Sequence, residues 1–196
     1  TEILRSVDVV FTTSRPLYEE KSQHNVNTYL MPNVADVASF FPVARGEVAV
    51  APELRDLSGP VVGFVGAVDA YKVDLSLVAA VARQLPDWSF VFVGPVGLGD
   101  NTKLSDLPSQ PNLHFLGGRH YSDLPGYMAG FDVCTIPYRL NSYTQSVFPL
   151  KFWEYLASGK PIVTTPLPAL SDYYLYLELG SDHESFVAAL ERAHAG

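Results

Sequence analysis

The chain has 196 residues, of which 47% are apolar and 17% charged, and its formal net charge is −8. That apolar content excludes a disordered chain, and an acidic balance without any cluster of Lys or Arg argues against nucleic acid as a partner. The lone Cys134 rules out an internal disulfide framework and fits a reducing compartment, and no apolar run approaches the ~18 residues of a membrane span.

In chain order, Val7–Thr12 is rich in β-formers and reads as a strand, Pro16–His24 as a short helix, and Thr28–Met31 as a second strand ending at Pro32-Asn33. The first residues, Thr1-Glu2, lack a Met and stand directly before a strand-like run, so the chain reads as a piece of something longer. Residues 35–58 have broken periodicity and read as a connecting segment. Val61–Val65 is a continuous apolar strand closed by Gly66, and Leu75, Leu77, Val78, Val81, Ala82 and Leu85 follow at helical spacing behind a capping Asp74.

Ser89–Val93 is the next strand, ended by Gly94-Pro95, and a turn-rich loop covers 96–112. Leu113–Leu116 is a strand ended by Gly117-Gly118, Ser122–Met128 a short helix, and Asp132–Ile136 a strand holding Cys134 as a buried structural thiol. Pro149–Gly159 is a helix and Ile162–Thr165 a strand. Leu175–Leu179 is a last strand, and Ser181 with Glu184 forms a capping box for a final amphipathic helix. Strands apolar on both faces, alternating with helices, predict an α/β fold with a parallel sheet covered on both sides. Ligands bind such sheets outside the carboxyl ends of the strands, at loops 66–73, 94–100, 117–121, 137–149 and 165–171.

The most informative stretch is Pro149–Pro161. Pro149 suits a first helical position, Gly159 a left-handed closing position, and Pro161 prevents continuation. Lys151 and Glu154 then project from one face, separated by about 4.5 Å of rise. A helix N-terminus with a lysine in its first turn favours phosphate, and a carboxylate one turn deeper can hold a ribose diol, which together describe a nucleotide. The same pair is equally the spacing of a weak surface ion pair. Gly66 with Lys72 six residues on can admit and neutralise a phosphate, or be a turn glycine and an exposed lysine. Gly117-Gly118-Arg119-His120 can present backbone amides to a flat base, or simply turn the chain. Tyr138, Arg139 and Tyr143 read as exposed binding residues on the rim.

Other chemistries are disfavoured. Gly63-Phe64-Val65-Gly66-Ala67-Val68 lacks the Gly-x-Gly-x-x-Gly of a dinucleotide site, and Ser158-Gly159-Lys160 has Pro161 where a phosphate-binding loop needs Ser or Thr. The five histidines show no metal-ligand spacing, and there is no Gly-x-Ser-x-Gly elbow.

Taken in order, Val7–Ser14, Met31–Asp36, Val62–Gly66 with Lys72, Phe92–Pro95, Leu113–Gly117, Asp132–Pro137 and the motif Pro-x-Lys-x-x-Glu-Tyr-x-Ala-x-Gly-x-Pro resemble the nucleotide-sugar-binding, C-terminal half of a GT-B glycosyltransferase of the group 1 type. The resemblance implies a Rossmann-like parallel sheet over 59–196, a connecting segment over 41–58, and residues 1–40 as a strand–helix–strand leading out of an N-terminal domain. It implies that Glu154 binds the ribose hydroxyls, Lys151 and Lys72 face the diphosphate beside Gly66, and the loop Gly117–Arg119 meets the base. Tyr138, Arg139, Ser146, Pro149 and Leu150 are donor-loop candidates. Many members carry a glutamate where this chain has Ser146 and an arginine where it has Ala67, so Lys151 is left to take the phosphate role.

The implied substrate is a nucleoside-diphosphate sugar, UDP or GDP, used without cofactor or metal and with retention of anomeric configuration, in surface polysaccharide assembly. The implied partners are the nucleotide sugar and the protein's own N-terminal domain, with a cytoplasmic location at the inner face of the membrane. A nucleotide-sugar epimerase or phosphorylase of the same architecture, or a degenerate binding module, are the alternatives.

Overall fold

The computed structural model describes residues 2–196. The first part runs helix α1 (Glu2–Ser6), strand β1 (Val10–Thr12), helix α2 (Arg15–Ser22), strand β2 (Thr28–Leu30) and helix α3 (Val37–Ala44). The main sheet is built from β3 (Val61–Val65), β4 (Ser89–Val93), β5 (Leu113–Gly117), β6 (Val133–Ile136), β7 (Ile162–Thr164) and β8 (Glu178–Leu179). Helices α4 (Leu75–Gln84), α5 (Leu124–Ala129), α6 (Lys151–Ala157) and α7 (His183–Ala195) connect and cover these strands.

The named strands pair in parallel, and the order across the main sheet is β5-β4-β3-β6-β7-β8. Every residue of β3, β4, β6 and β7 is buried, which is why those strands read as unbroken apolar runs. Helix α4 packs with α7, and α3 packs with α5 and α6. The order is that of a doubly wound Rossmann sheet, whose direction of winding reverses between β3 and β6 and opens a crevice at the carboxyl ends of those two strands.

Several boundaries differ from expectation. The strand expected at Val7–Thr12 shrinks to Val10–Thr12, with helix α1 ahead of it. Helix α3 occupies part of the segment expected to be irregular. Pro42 lies inside it, and its apolar residues surround the axis, with Phe40 and Val43 buried while Val37 and Phe41 are exposed. No amphipathic stripe marks such a helix in sequence, and its span crosses the boundary drawn at residue 40. A long 3₁₀ stretch, Pro168–Tyr176, takes the first two residues of the strand expected at Leu175–Leu179, which shortens to Glu178–Leu179.

The capping box of α7 is shifted by one residue. Asp182 accepts from the Ser185 amide at 2.9 Å while its own amide donates to Ser185 Oγ at 3.1 Å. That frame buries Phe186, Ala189 and Leu190. Helix α6 begins at Lys151 rather than Pro149, because the amides of Phe152 and Trp153 bond back only three residues, to the carbonyls of Pro149 and Leu150. Gly159 does close that helix, with φ at 68°, a conformation that costs a residue with a Cβ.

At the centre of β3, a Cβ placed on Gly63 would lie 2.0 Å from the ring of the buried Phe131. Overpacking of this kind costs about 1–3 kcal/mol. Gly63→Ala is therefore expected to lower the thermal midpoint by roughly 2–10 °C in scanning calorimetry, and an unchanged midpoint would contradict this packing.

Candidate functional site

The crevice between β3 and β6 is where the candidate residues meet. Gly66 ends β3 with φ at 133°, and its missing Cβ leaves room for Lys151, whose Nζ would stand 2.9 Å from a Cβ built there. Lys151 reaches this point from the first residue of α6. Its Nζ lies 4.5 Å from the ring centre of Phe64 and 4.9 Å from that of Tyr138, and donates to Tyr138 Oη at 2.7 Å. No carboxylate lies within ion-pair distance of it among the described residues. Burial, followed by the nearby charge of Lys72, brings the amine down from its ordinary 10.5 to about 7, although Glu154 pulls the other way.

Lys72 is held differently. Its Nζ pairs with Asp69 Oδ2 at 2.9 Å, and Asp69, 2% exposed at its side chain, also accepts from the Gly99 amide at 3.0 Å. Glu154, one turn along α6 from Lys151, is buried at 5% exposure. Its Oε1 accepts from Tyr121 Oη at 3.0 Å, while Oε2 has no protein donor among the described residues and is not sealed from solvent. Burial raises the carboxyl above its ordinary range, against the opposing pull of Tyr121 and Lys151. Lys72 and Glu154 thus each act on Lys151, which stands between β3 and α6.

The surrounding loops are fixed by ordinary local chemistry. Tyr155 Oη accepts from the buried Val65 amide at 2.7 Å, tying α6 to β3. The Arg139 amide donates to the Lys72 carbonyl at 2.7 Å, the Asp74 amide to the Pro137 carbonyl at 2.8 Å, and Tyr143 packs edge-on against Tyr71 at 5.0 Å. Asn141 Oδ1 accepts from the Tyr143 and Thr144 amides, which turns the loop back on itself. At the far end of the loop, the Ser146 carbonyl accepts from Ser14 Oγ at 2.6 Å, and that same Oγ caps α2 by accepting from the Leu17 amide.

The structure revises several sequence assignments. Tyr138 is buried at 5% exposure rather than exposed on the rim, because its ring walls Lys151. Arg139 turns to Asp74, 3.9 Å away, and Ser146 presents its carbonyl to Ser14. Pro149 is buried and Leu150 exposed. Arg119 does not extend a free guanidinium from the Gly117–Arg119 loop: Nε donates to Tyr127 Oη and Nη1 to the Leu116 carbonyl, both at 2.6 Å, and Nη2 lies 3.3 Å from Glu53. Gly117 itself, φ 75°, has open space where a Cβ would be.

Sequence reasoning missed Phe64, Asp69, Tyr121 and Tyr155. Only Asp69, three residues before Lys72, carried a local signal.

Solved structures of similar shape place this fold among GT-B glycosyltransferases. Alr3699/HepE of Anabaena, in complex with UDP and glucose, matches with a TM-score of 0.71 at 19% identity, covering 97% of this chain and 54% of that one. Sucrose-phosphate synthase of Thermosynechococcus elongatus matches with 0.71 at 20% identity, covering 99% and 51%. A UDP-forming α,α-trehalose-phosphate synthase of Burkholderia xenovorans matches with 0.72 at 13% identity, covering 98% and 54%. The chain belongs to the family "Glycosyl transferases group 1", whose model matches residues 59–195. It is 37% identical over 143 residues to TuaH of Bacillus subtilis (strain 168), a glycosyltransferase provisionally assigned to teichuronic acid biosynthesis. That match covers 71% of this chain and 36% of TuaH. The chain therefore spans about a third of that relative and about half of the solved chains.

The environment of Lys151 has a measurable consequence for stability. Between pH about 7 and 10.5 the folded state binds fewer protons at Lys151 than the unfolded state, so this residue makes stability rise with pH across that window. Lys151→Met removes the burden, so its thermal midpoint should exceed the parent's at about pH 6 and the gain should shrink toward about pH 10. A difference that stays constant over that range would contradict a desolvated amine.

Proposed function

We propose that this chain holds the nucleoside-diphosphate-sugar donor of a glycosyltransferase. The observation that carries the reading is the convergence of Lys72, Lys151 and the free Oε2 of Glu154 at the crevice where the sheet's winding reverses. In this reading Lys72 and Lys151 face the diphosphate, with Gly66 letting the backbone come close. Glu154 grips the ribose hydroxyls, and the base lies over the open side of Gly117-Gly118. Arg119 serves this loop by holding its carbonyls rather than by touching the base. The loop 137–149, including Ser146 and followed by Leu150, borders the sugar.

Transfer of the sugar leaves a nucleoside diphosphate, on which negative charge grows as the glycosidic bond to phosphate breaks. The nitrogens of Lys72 and Lys151, one paired with Asp69 and the other with Tyr138, stand placed to stabilise that charge in a partly desolvated crevice, and they can do so without a metal. Among the described residues, no three His, Cys, Asp or Glu side chains gather as a metal site. UDP is the favoured nucleotide, since HepE was solved with it. The likeness to TuaH supports a cell-surface polysaccharide as the product, and the family resemblance supports retention at the anomeric carbon. The acceptor side and any contact with a membrane surface belong to the longer protein that this reading presumes. Among the described residues no helix is long and apolar enough to cross a membrane.

Isothermal titration with UDP, GDP and ADP tests the reading: one of them should bind, and failure of all three at millimolar concentration would overturn it. Glu154→Ala should weaken the bound nucleotide by about 1–3 kcal/mol, the scale of a lost charge-assisted hydrogen bond. An unchanged affinity would remove Glu154 from the ribose.

A further inference from the structure

Lys72 and Lys151 share the crevice but not the same electrostatic state. Lys72 is neutralised by Asp69 at 2.9 Å, whereas Lys151 has two aromatic faces and one phenol as partners. Charged or titratable groups near Lys151 stand on three elements. From the loop after β3 come Lys72, Asp69 and Tyr71; from the loop after β6, Tyr138 and Tyr143; and from its own helix, Glu154 and Tyr155. Glu154 is shared with Tyr121, and Tyr138 and Tyr155 are held neutral by burial, Tyr138 at about 12. The aromatic faces favour an ammonium, and the loss of water opposes it.

We propose that, on the donor-binding reading above, the diphosphate enters this crevice together with one proton, taken by the Lys151 nitrogen from solvent. Lys151 Nζ donates to Tyr138 Oη at 2.7 Å, and when the amine is neutral the phenol can reverse that bond and donate to its lone pair. When the diphosphate arrives, the nitrogen accepts a proton, the new N–H bonds point at phosphate oxygen, and the phenol turns to accept. The amine's midpoint near 7 in the free protein sets where this matters: below it the site is already charged, above it each bound donor must bring a proton in. Donor affinity therefore falls as pH rises through neutrality, and the released nucleotide leaves with the proton returned to solvent.

Calorimetric titration of the chain with UDP-glucose (GDP-mannose should uridine not bind) tests this. A diphosphate diester has no ionisation near neutrality, unlike a terminal phosphate, which titrates near 6. At about pH 8, in buffers of different ionisation enthalpy, the heats should report close to one proton taken up per ligand. Affinity should fall by about tenfold per pH unit above 8 and flatten below about 6. In Lys151→Arg, whose guanidinium stays charged, binding should persist without uptake and with a flat pH profile. Should that variant fold poorly, the ¹⁵Nζ titration of Lys151 in the unaltered chain gives the same answer: a midpoint near 7 that moves upward at saturating ligand. Binding without proton uptake, or uptake that survives in Lys151→Arg, overturns the proposal while leaving the donor site standing. Absence of any binding at about pH 6.5 removes the donor-binding reading and this inference with it.

Discussion

The protein is organised by a reversal in the direction of winding between β3 and β6. Connections from β3 run one way to β4 and β5, and those from β6 run the other way to β7 and β8. At the carboxyl ends of the two central strands the loops after β3 and β6 bond to each other main chain to main chain, and Lys151 takes the space that Gly66 leaves beside them. A parallel sheet buried on both faces offers its polar chemistry at such a place, because the strands below are mostly Val, Phe, Ile and Cys and their Thr135 and Thr164 hydroxyls are spent on main-chain carbonyls. Cys134, whose thiol burial pushes far up, belongs to that inert interior.

What fills the cleft follows from this. An amine at the start of α6 has one direction to go, into the gap a glycine leaves, and its neighbours there are rings rather than carboxylates. Tyr155 holds the base of α6 against β3 by taking up the Val65 amide, a buried N–H that would otherwise lack a partner. The loops on either side are clasped main chain to main chain, and the lysine on the opposite wall is anchored through Asp69 to Gly99. The result is two lysine nitrogens held close together, one of them without a carboxylate partner among the described residues, in a chain whose overall charge is −8.

The sheet was legible from the residues, and the reason is physical. Val61–Val65, Ser89–Val93 and Val133–Ile136 are buried on both faces, so each is an apolar run closed by Gly or Pro, and Asp74 caps α4 as its spacing implies. Helix α3 was illegible because its apolar residues face both core and solvent and Pro42 interrupts it. In the site, Lys151 and Glu154 were legible because both sit on one helix within one turn. Tyr121, Phe64 and Tyr138 were not, since each meets its partner only through the tertiary fold, Tyr121 across 33 positions. The partners of the Arg119 guanidinium were illegible for the same reason: Glu53, one of them, lies 66 positions away.

Ser14 has one hydroxyl proton to give, and it gives it to the carbonyl of Ser146 while its oxygen stitches the first turn of α2. The β1–α2–β2 unit and the segment running into Lys151 are thereby hinged on a single atom, itself 3% exposed and shielded from competing water. A slight swing of the former must drag the latter or leave a carbonyl without a donor. The amine's seat is thus mechanically geared to a part of the chain far from it in sequence.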